Sequence, residues 1–359
     1  MKVKDIAKKL NLSPATISLV LNDRPGISEA TREKVKAALK DMGCEDMLTA
    51  RESGRKNILF VVYRKNPAVG ENTQRFSQVF SEIIEGVERQ AKMRGFQLMI
   101  LYMDQNSFET ELGRIAGTRA DGIILLATEM WEEQIDRFEE LGIPLVVLDN
   151  YIGKKPYDYV TINNEMGVYE ALSCLKEAGH EKIGYFHIVE NANNFIERYF
   201  AFGTAMRRLE LEINENFILE FNTAGGDTLQ CEMQKRMEQM EEMPTAFFAD
   251  NDIVAICGIQ SLKRMGYKIP EDISIVGFDD MPLSEILDPP LTTIQTQKQT
   301  MGAVAVNLLI DKMEEKFPGN LKVEVSVSLI VRQSVGRLDR SDQNENKEKV
   351  SGDSLRRRL

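Results

Sequence analysis

The sequence predicts an all-α helix-turn-helix head followed by an α/β body of two doubly wound parallel-sheet subdomains. Two observations predict this fold. Residues 1–42 contain three short amphipathic helical patterns separated by tight turns. From residue 57 onward, apolar runs of strand length alternate with amphipathic helical patterns. Such alternation is typical of buried parallel sheets covered by helices.

The head begins with a helical pattern over residues 4–10, followed by a turn of two residues. Ser13 is expected to cap the second helix, and Pro14 suits its first position because no backbone N–H is needed there. Ile17, Val20 and Leu21 form the core face of this second helix. A third helix is predicted from a cap at Ser28 to Gly43, with apolar side chains at helical spacing: Val35, Ala38, Leu39 and Met42.

A tight turn before the second of three short helices allows that helix to enter a DNA major groove. Residues 1–56 carry 12 Lys and Arg against 8 Asp and Glu, a net charge of +4, whereas the whole chain carries −11. A basic head on an acidic body is expected when only the head meets phosphate. The alternative is a small helical bundle that merely caps the body. The predicted DNA contacts are Ser13, Pro14, Ala15, Thr16, Ser18, Leu19, Asn22 and Arg24.

Composition limits the other function classes. No signal peptide or apolar stretch of membrane-spanning length occurs in the 359 residues, so a cytoplasmic protein is expected. The four cysteines are far apart and lack a Cys-x-x-Cys pair, which predicts reduced core thiols and no metal site. The two histidines, His180 and His187, accompany no nucleophile motif. We therefore expect no catalytic residues, no metal and no cofactor.

Seven strands and seven helices are predicted in the body. The strands are 58–63, 97–102, 122–127, 144–149, 182–187, 246–250 and 274–278. The helices are 80–94, 108–119, 132–141, 164–178, 193–209, 227–240 and 253–265. Neither a Gly-x-Gly-x-x-Gly motif after a strand nor a Walker-type Gly-Lys-Ser/Thr occurs, which disfavours a dinucleotide or NTP enzyme.

Polar residues gather where the predicted strands end, the edge at which doubly wound sheets bind ligands. They are Asp149, Asn150, Asp250, Asn251, Asp252, Asp279 and Asp280, with Arg198 early in a following helix. Carboxylates, an amide and a guanidinium suit a small polyhydroxyl ligand. Helix N-caps are the alternative roles of Asn251, Asp252 and Asp280, and a metal site is a third interpretation.

These segments together resemble the LacI (lactose-repressor-type) family of bacterial transcription regulators, from Lys2 to about Val335. In the head, the resemblance lies in Val3-Lys4-Asp5-Ile6-Ala7, Leu12-Ser13-Pro14-Ala15-Thr16-Ile17-Ser18, Val20-Leu21-Asn22 and residues 27–35. In the body it lies in residues 120–125, 142–144, 179–183, 251–252, 269–280 and 289–294. Any one of these motifs is weak evidence for the family, but the full set in this order is highly specific to it.

The resemblance implies a homodimer on a near-palindromic DNA operator, with a periplasmic-binding-protein-like body and no membrane partner. An effector, often a sugar or a nucleobase in this family, is expected between the two halves of the body. Matching positions assign effector contacts to Arg198, Asn251 and Asp279. Phe80 matches an aromatic position before the first body helix, although Ser77-Gln78-Val79 departs from the usual Asn-Pro-Phe. Asp149, from the strand-end pattern, completes the predicted effector site.

The expected domain boundaries follow from the same comparison. The helix-turn-helix domain is 1–43, the linker is 44–56, the effector and dimerisation domain is 57–336, and 337–359 is a disordered tail. The chain is expected to cross between the halves near 160–163, 290–295 and 320–323. The N-subdomain is then 57–160 with 294–321, and the C-subdomain is 161–293 with 322–336.

Two departures from the family pattern concern DNA. Leu19 stands where many members carry a base-reading arginine, and an apolar side chain can contact a thymine methyl but cannot bond guanine. In the linker, Ser53 stands at the position of the leucine that wedges into the minor groove. A shifted alignment offers Leu48 as the wedge, and both alignments remain open.

The sequence predicts an effector-controlled repressor of carbohydrate-metabolism genes that binds a sugar-like ligand. One alternative is a sugar-binding protein, which would share the body but not the head. The other is a cytosolic enzyme that uses the carboxylates of Asp149, Asp250 and Asp279. Such an enzyme would lack a nucleophile motif, a metal set and a phosphate loop, and would leave the head unexplained.

Overall fold

The computed structural model describes residues 27–41, 56–65, 72–190, 192–222 and 226–338, together with seven residues of the early head: Ala7, Leu10, Leu12, Ser13, Thr16, Ile17 and Val20. The chain divides into two compact units. One contains residues 1–57 with 95–97, and the other contains the rest of the body.

The described part of the head has a small apolar core. Ala7, Ile17, Val20, Val35 and Leu39 are buried in it, and Leu10, Leu12 and Ile27 pack against them. Both predicted caps are present. The Oγ of Ser13 accepts from the backbone N–H of Thr16 at 2.9 Å. Ser28 accepts from Thr31 at 3.3 Å and precedes helix α1 (Glu29–Asp41). Leu21, Met42 and Gly43 lie outside the described residues.

The strands of the body alternate with helices, as the pattern predicts. The first part of the body contains β1 (Asn57–Arg64), α2 (Asn72–Met93), β2 (Gln97–Asp104), α3 (Phe108–Ala116), β3 (Gly122–Leu126), α4 (Glu132–Glu139), β4 (Leu145–Leu148) and β5 (Asp158–Ile162). The chain continues with α5 (Asn164–Glu177), β6 (Ile183–Ile188), α6 (Asn193–Arg208), a 3₁₀ turn (Glu215–Phe217), β7 (Ile218–Phe221), α7 (Gly226–Glu238), β8 (Ala246–Ala249) and α8 (Asp252–Arg264). It ends with β9 (Ser274–Asp279), α9 (Pro282–Ile286), β10 (Thr292–Thr296), α10 (Lys298–Met313), β11 (Lys322–Val325) and β12 (Val327–Ile330).

These strands form two six-stranded sheets, in the orders β11-β5-β4-β3-β1-β2 and β12-β10-β9-β8-β6-β7. The first sheet with its helices is the N-subdomain, and the second is the C-subdomain. In the order β11-β5-β4-β3-β1 of the first sheet and throughout the second, neighbouring strands run parallel, except that β10 and β12 are antiparallel. β1, β3, β4, β6 and β8 are buried along most or all of their length because helices cover both faces.

The chain crosses between the subdomains at Asn163, Gln297 and Ser326. The last two crossings lie beyond the predicted ranges of 290–295 and 320–323. The expected subdomain boundaries are therefore wrong in detail. Residues 161–162 and 322–325 pair in the first sheet, whereas 294–296 pair in the second. The physical reason is that each strand completes its hydrogen-bonded pairing before the backbone leaves the sheet.

The structure corrects two further expectations. Cys231 is exposed, although Cys257 is buried and Cys174 half-buried, so the cysteines are not uniformly core residues. The backbone N–H of Leu338 donates to the carbonyl of Ala178 at 2.9 Å, so residues 337–338 belong to the body. The rest of the predicted tail lies outside the described residues. Among the helices of the described ranges, none combines the length and the hydropathy that a membrane span requires.

Candidate functional site

A cleft of about 1010 Å³, part of it open to solvent, lies between the two subdomains. Its walls come from residues at or just beyond the carboxyl ends of strands and from the helices that follow them. All five residues predicted to bind the effector line it: Phe80, Asp149, Arg198, Asn251 and Asp279. The polar lining also includes Lys65, Thr128, Glu129, Glu190, Asn194, Thr296 and Lys298. The apolar lining is Ile83, Ile162, Ala192, Phe195, Ile253, Met281 and Met301.

Arg198 on α6 is a buried charge of the cleft, with only 2 % of its surface exposed. Its Nε donates to Oδ1 of Asn164 at 2.9 Å, and one terminal nitrogen donates to the backbone carbonyl of Asp250. The guanidinium also lies over the ring of Phe278, 3.7 Å from its centroid. The two hydrogen bonds and the stacking on Phe278 fix the orientation of the guanidinium. A directional hydrogen bond to a ligand requires such a fixed orientation.

Asp279 at the end of β9 forms an ion pair with Arg198, with 3.3 Å between its Oδ1 and the second terminal nitrogen. Each of the two residues was expected to contact the effector, and in the structure they also contact each other. They contact directly because Asp279 and Arg198 both belong to the C-subdomain. A ligand at this end of the cleft would bind beside the pair.

The turn that presents Asp279 has unusual backbone geometry. Asp279 has φ 103° and Asp280 has φ 48°, conformations that cost a non-glycine residue energy. Side-chain contacts hold the turn in place. Asp280 accepts from Arg332 at 2.7 Å and from Gln295 at 2.8 Å, and its carboxylate therefore points away from the cleft lining.

Asp149 supplies the opposing carboxylate from the N-subdomain, just after β4. Its two oxygens accept from the hydroxyl of Thr128 at 2.6 Å and from Nδ2 of Asn194 at 2.9 Å. Burial raises the pKa of Asp149 above its usual value, while these two hydrogen bonds oppose the rise. Because Asn194 belongs to α6, the second bond joins the two subdomains directly.

Asn251 lies in the cleft lining and is also a helix cap. It lines the cleft, and its Oδ1 caps α8 by accepting from the N–H of Val254 at 2.9 Å. Asp252 does not line the cleft. It is fully buried and accepts from the N–H of Met281 at 2.7 Å, from the hydroxyl of Ser284 at 2.6 Å and from that of Thr293. Burial raises its pKa to about 7.

Asp250 is a structural carboxylate. It is buried and accepts from the hydroxyl of Tyr185 and from the N–H of Ile188 at 2.6 Å, and the Nδ1 of His187 lies 2.9 Å away. Its side chain does not line the cleft. The enzyme alternative required the carboxylates of Asp149, Asp250 and Asp279 to lie in one site. They do not, because the Asp250 side chain lies outside the cleft lining. No metal-binding cluster of His, Cys, Asp or Glu occurs in the described part of the chain.

Sequence reasoning missed several polar residues of the cleft. Thr128 follows β3, Glu190 follows β6, Asn194 lies in the first turn of α6, and Lys298 begins α10 just after β10. Thr128, Glu190 and Lys298 each lie two residues beyond the end of a strand, close to the position that identified Asp149 and Asp279, and Asn194 lies in the helix that follows β6. Applying that criterion to every strand, including the polar β10, would have found them.

Among the predicted DNA contacts, Ser13 is exposed and Thr16 is partly exposed at the start of the second helix. The hydroxyls of these two residues lie 2.8 Å apart, and the backbone N–H of Ile17 donates to the carbonyl of Ser13. The remaining predicted contacts lie outside the described residues: Pro14, Ala15, Ser18, Leu19, Asn22, Arg24 and Leu48.

Comparisons with known proteins agree with this architecture. Residues 2–44 match the family described as bacterial regulatory proteins, lacI family, and residues 172–335 match the periplasmic binding protein-like domain. The chain is similar to the HTH-type transcriptional repressor PurR of Haemophilus influenzae, with 31% identity over 342 residues, covering 93% of this chain and 98% of the relative. The repressor of the same description from Aliivibrio salmonicida is 30% identical over 346 residues, covering 94% of this chain and 99% of the relative.

Two solved structures share the fold. The transcriptional regulator CelR in its cellobiose complex has a TM-score of 0.69 and 24% identity, covering 93% of this chain and 99% of the other. The Lac repressor dimer bound to operator and the anti-inducer ONPF has a TM-score of 0.68 and 20% identity, covering 94% and 99%. The matched family models and the sequence relatives show that the chain belongs to the LacI family, as a DNA-binding transcriptional repressor with an effector-binding domain.

Proposed function

We propose that this repressor binds a small, uncharged polyhydroxyl effector of the sugar class in the cleft, and that the effector shifts its affinity for operator DNA. The observation that carries the proposal is the opposed placement of Asp149 and the Arg198–Asp279 pair. Carboxylate oxygens accept from ligand hydroxyls, while the guanidinium donates to them. The lining contains Lys65, Arg198 and Lys298 against Glu129, Asp149, Glu190 and Asp279, so the two signs of charge nearly balance.

Apolar surfaces complete the cleft. Phe80 and Phe195 line it together with aliphatic and methionine side chains. Apolar walls with a few fixed polar groups are characteristic of small-molecule sites. A pyranose has apolar C–H faces and hydroxyl edges. The apolar side chains of the cleft fit the faces, and its polar side chains fit the hydroxyl edges.

DNA binding is assigned to the head. We propose that two heads of a homodimer bind a near-palindromic operator in the cytoplasm through Ser13, Pro14, Ala15, Thr16, Ser18, Leu19, Asn22 and Arg24. Leu48 is a further candidate as a minor-groove wedge. The target genes in this proposal are genes of carbohydrate metabolism.

A thermal-shift panel tests the effector class. The probes are cellobiose, D-glucose and D-ribose, with hypoxanthine and guanine as nucleobase comparators. A bound ligand stabilises the native state by RT ln(1 + [L]/Kd), which amounts to about 2.7 kcal/mol at 100 times Kd. Each stabilising compound is then added to an operator-binding measurement with DNA selected from a randomised pool.

The sugar proposal expects at least one carbohydrate to raise the unfolding temperature and to change operator affinity. Stabilisation by a nucleobase alone would overturn the sugar assignment and keep the cleft as the effector site. An Arg198→Lys variant serves as the control. A compound that acts through the cleft should lose most of its effect in this variant, because lysine cannot reproduce the fixed fork of donors.

A further inference from the structure

Asn164 uses both N–H donors and the carbonyl oxygen of its side chain in hydrogen bonds, although it does not line the cleft. Its Oδ1 accepts from Nε of Arg198 at 2.9 Å. Its Nδ2 donates to Oδ1 of Asn194 at 3.0 Å and to Oε2 of Glu197 at 2.6 Å. One buried amide therefore fixes both the effector-site arginine and the asparagine that contacts Asp149.

Asn164 lies beside a point at which the chain crosses between the subdomains, so its contacts are connected to that crossing. Asn163 is the residue at which the chain first crosses between the subdomains, and it also caps α5 by accepting from the N–H of Met166 at 2.8 Å. Asn164 is the first residue of α5, immediately beyond the crossing. Any rotation of the crossing backbone therefore moves the amide that holds Arg198.

Lys298 occupies an equivalent position at the second crossing. It is the first residue of α10, directly after Gln297, and only 4 % of its surface is exposed. Its ammonium donates to the backbone carbonyl of Asp279. The carboxylate of Asp279 is the partner of Arg198, so each member of the ion pair is bonded to a residue beside a different crossing.

We propose that Asn164 and Lys298 are positioning residues that attach the Arg198–Asp279 pair to two of the crossing segments. This inference rests on the proposed function, because an effector beside the pair is what the attachment would sense. A ligand that displaces or reorients the pair would then change the angle between the subdomains. The two residues couple effector binding to DNA affinity, Asn164 from outside the cleft lining and Lys298 from within it.

The first test needs no ligand. The full-length protein is labelled with ¹⁵N-arginine, and the Nε–H signal of Arg198 is assigned by its loss in Arg198→Lys. In the wild type this N–H should exchange slowly with solvent, because it is buried and donates to Asn164. Asn164→Ala should accelerate the exchange by about tenfold or more, since the acceptor is removed.

Two matched variants separate positioning from a general loss of structure. Asn164→Asp keeps an oxygen acceptor for Nε but loses the donations to Asn194 and Glu197, so slow exchange in this variant would show that the acceptor alone holds the guanidinium. Asn163→Ala removes the neighbouring helix cap, a stability cost of about 1 kcal/mol, without touching Arg198. Equal acceleration in Asn163→Ala and Asn164→Ala, or unchanged exchange in Asn164→Ala, would overturn the positioning role of Asn164.

The second test measures coupling, with cellobiose and the other panel compounds as probes. Coupling is the ratio of operator Kd with and without the compound. We expect Lys298→Met and Asn164→Ala each to reduce this ratio by about fivefold or more, a typical size for a coupling change. Lys298→Arg, which keeps a donor, should retain more of it than Lys298→Met.

The outcomes distinguish this inference from the proposed function. If no panel compound stabilises the wild-type protein, the sugar or nucleobase effector fails, while the Arg198 exchange measurement still decides whether Asn164 positions the guanidinium. If a compound acts on the wild type and both variants respond fully, the coupling role is wrong and the effector site stands.

Discussion

Asp149 and Asn194 bridge the two subdomains through one hydrogen bond, in which Nδ2 of Asn194 donates to Oδ1 of Asp149 at 2.9 Å. Both side chains are buried, so little water competes for the bond. Asp149 is fixed by Thr128 in the N-subdomain, and Asn194 is fixed by Asn164 in the C-subdomain. The bond thus joins two side chains that are each fixed within their own subdomain. It therefore resists opening of the cleft.

Asn194→Ala should favour an open cleft and lower stability. A hydrogen bond to a charged group contributes about 1.5–3 kcal/mol, and its loss also leaves the Asp149 carboxylate with only one of its two side-chain donors. For a body of this size, each kcal/mol lowers the unfolding temperature by about 2–4 °C. Small-angle scattering should show a larger radius of gyration than in the wild type.

Asn193→Ala is the matched control for this prediction. Asn193 is the adjacent residue of α6, and its buried Nδ2 has no hydrogen-bond partner among the described residues. Its removal should leave the scattering curve unchanged. If Asn194→Ala also scatters like the wild type, the bond does not hold the cleft closed.

Asp279→Asn should weaken effector binding by about tenfold or more, which corresponds to about 1.4 kcal/mol. The variant keeps the size of the side chain but removes the charge beside Arg198. Arg198 retains Asn164 and the carbonyl of Asp250, so effector-free DNA binding should remain near the wild-type level. Calorimetry with the most stabilising panel compound measures the change.

Asp280→Asn tests whether the effect belongs to the site or to the turn. The Asp280 carboxylate holds the same turn through Arg332 and Gln295. We expect this variant to lose thermal stability and keep its effector affinity. Undiminished affinity in Asp279→Asn would remove Asp279 from the effector site.

Strand-end reasoning located the cleft because backbone topology alone decides where the carboxyl ends of parallel strands meet. Asp149, Asn251 and Asp279 line the cleft for that reason, and Arg198 lines it from the helix that follows β6. The pairing of Arg198 with Asp279 could not be predicted, because it depends on side-chain distances within one subdomain. Asn164 was also missed, because nothing in the sequence indicates that a residue at the start of a helix is buried and bonded to several other side chains.

The errors in the fold have similar causes. β10 (Thr292–Thr296) and β11 (Lys322–Val325) contain threonine, glutamine, lysine and glutamate, and they lack the apolar runs that identify buried strands. β10 is nevertheless largely buried, because its threonines are satisfied by hydrogen bonds. Thr293, for example, donates to the carboxylate of Asp252. Tertiary partners thus made polar residues compatible with an internal strand.

Ser13→Ala should weaken operator binding more than Ser28→Ala does. Each serine caps a head helix through the same contact, with the N–H three residues ahead donating to its Oγ. Each loss should therefore destabilise the head by about 0.5–2 kcal/mol. Only Ser13 belongs to the helix proposed to enter the major groove, so only its loss should also disturb base or phosphate contacts.

Binding to a selected operator at several salt concentrations measures both effects. The basic head predicts affinity that falls steeply with salt, because neutralised phosphates release counterions. Ser28→Ala should keep the wild-type salt slope. Equal affinity losses in the two variants would show that Ser13 acts only through head stability.

We expect the protonation of His180 to make stability depend on pH. Its buried ring lies 2.9 Å from the hydroxyl of Thr245 and 3.1 Å from the carbonyl of Gly336. Burial lowers its pKa below the usual 6.5, although the Gly336 carbonyl opposes the shift. The unfolded chain therefore takes up a proton at a higher pH than the folded chain. Above about pH 6.5 the ring is neutral in both states, and its contribution to the stability of the folded protein is complete. That contribution is lost as the pH falls through the folded-state pKa of His180.

Asp252 works in the opposite direction. Burial raises its pKa from 3.8 to about 7, so the folded state holds a proton that the unfolded state releases. Its contribution favours the folded state at low pH and declines as pH rises from about 4 to about 7. This effect is present in both the wild type and a His180 variant, so it cancels when their pH profiles are subtracted.

His180→Gln should reduce the loss of stability on acidification. We expect the unfolding temperature of the wild type to fall more than that of the variant between pH 7.5 and about pH 5.5, on either side of the histidine reference pKa. Thr245→Val removes a partner of the ring without removing the titratable group, so it should lower stability at every pH and keep a wild-type dependence on acid. Thermal unfolding followed by circular dichroism gives the profiles. Parallel profiles for the wild type and His180→Gln would mean that protonation of His180 does not limit stability in acid.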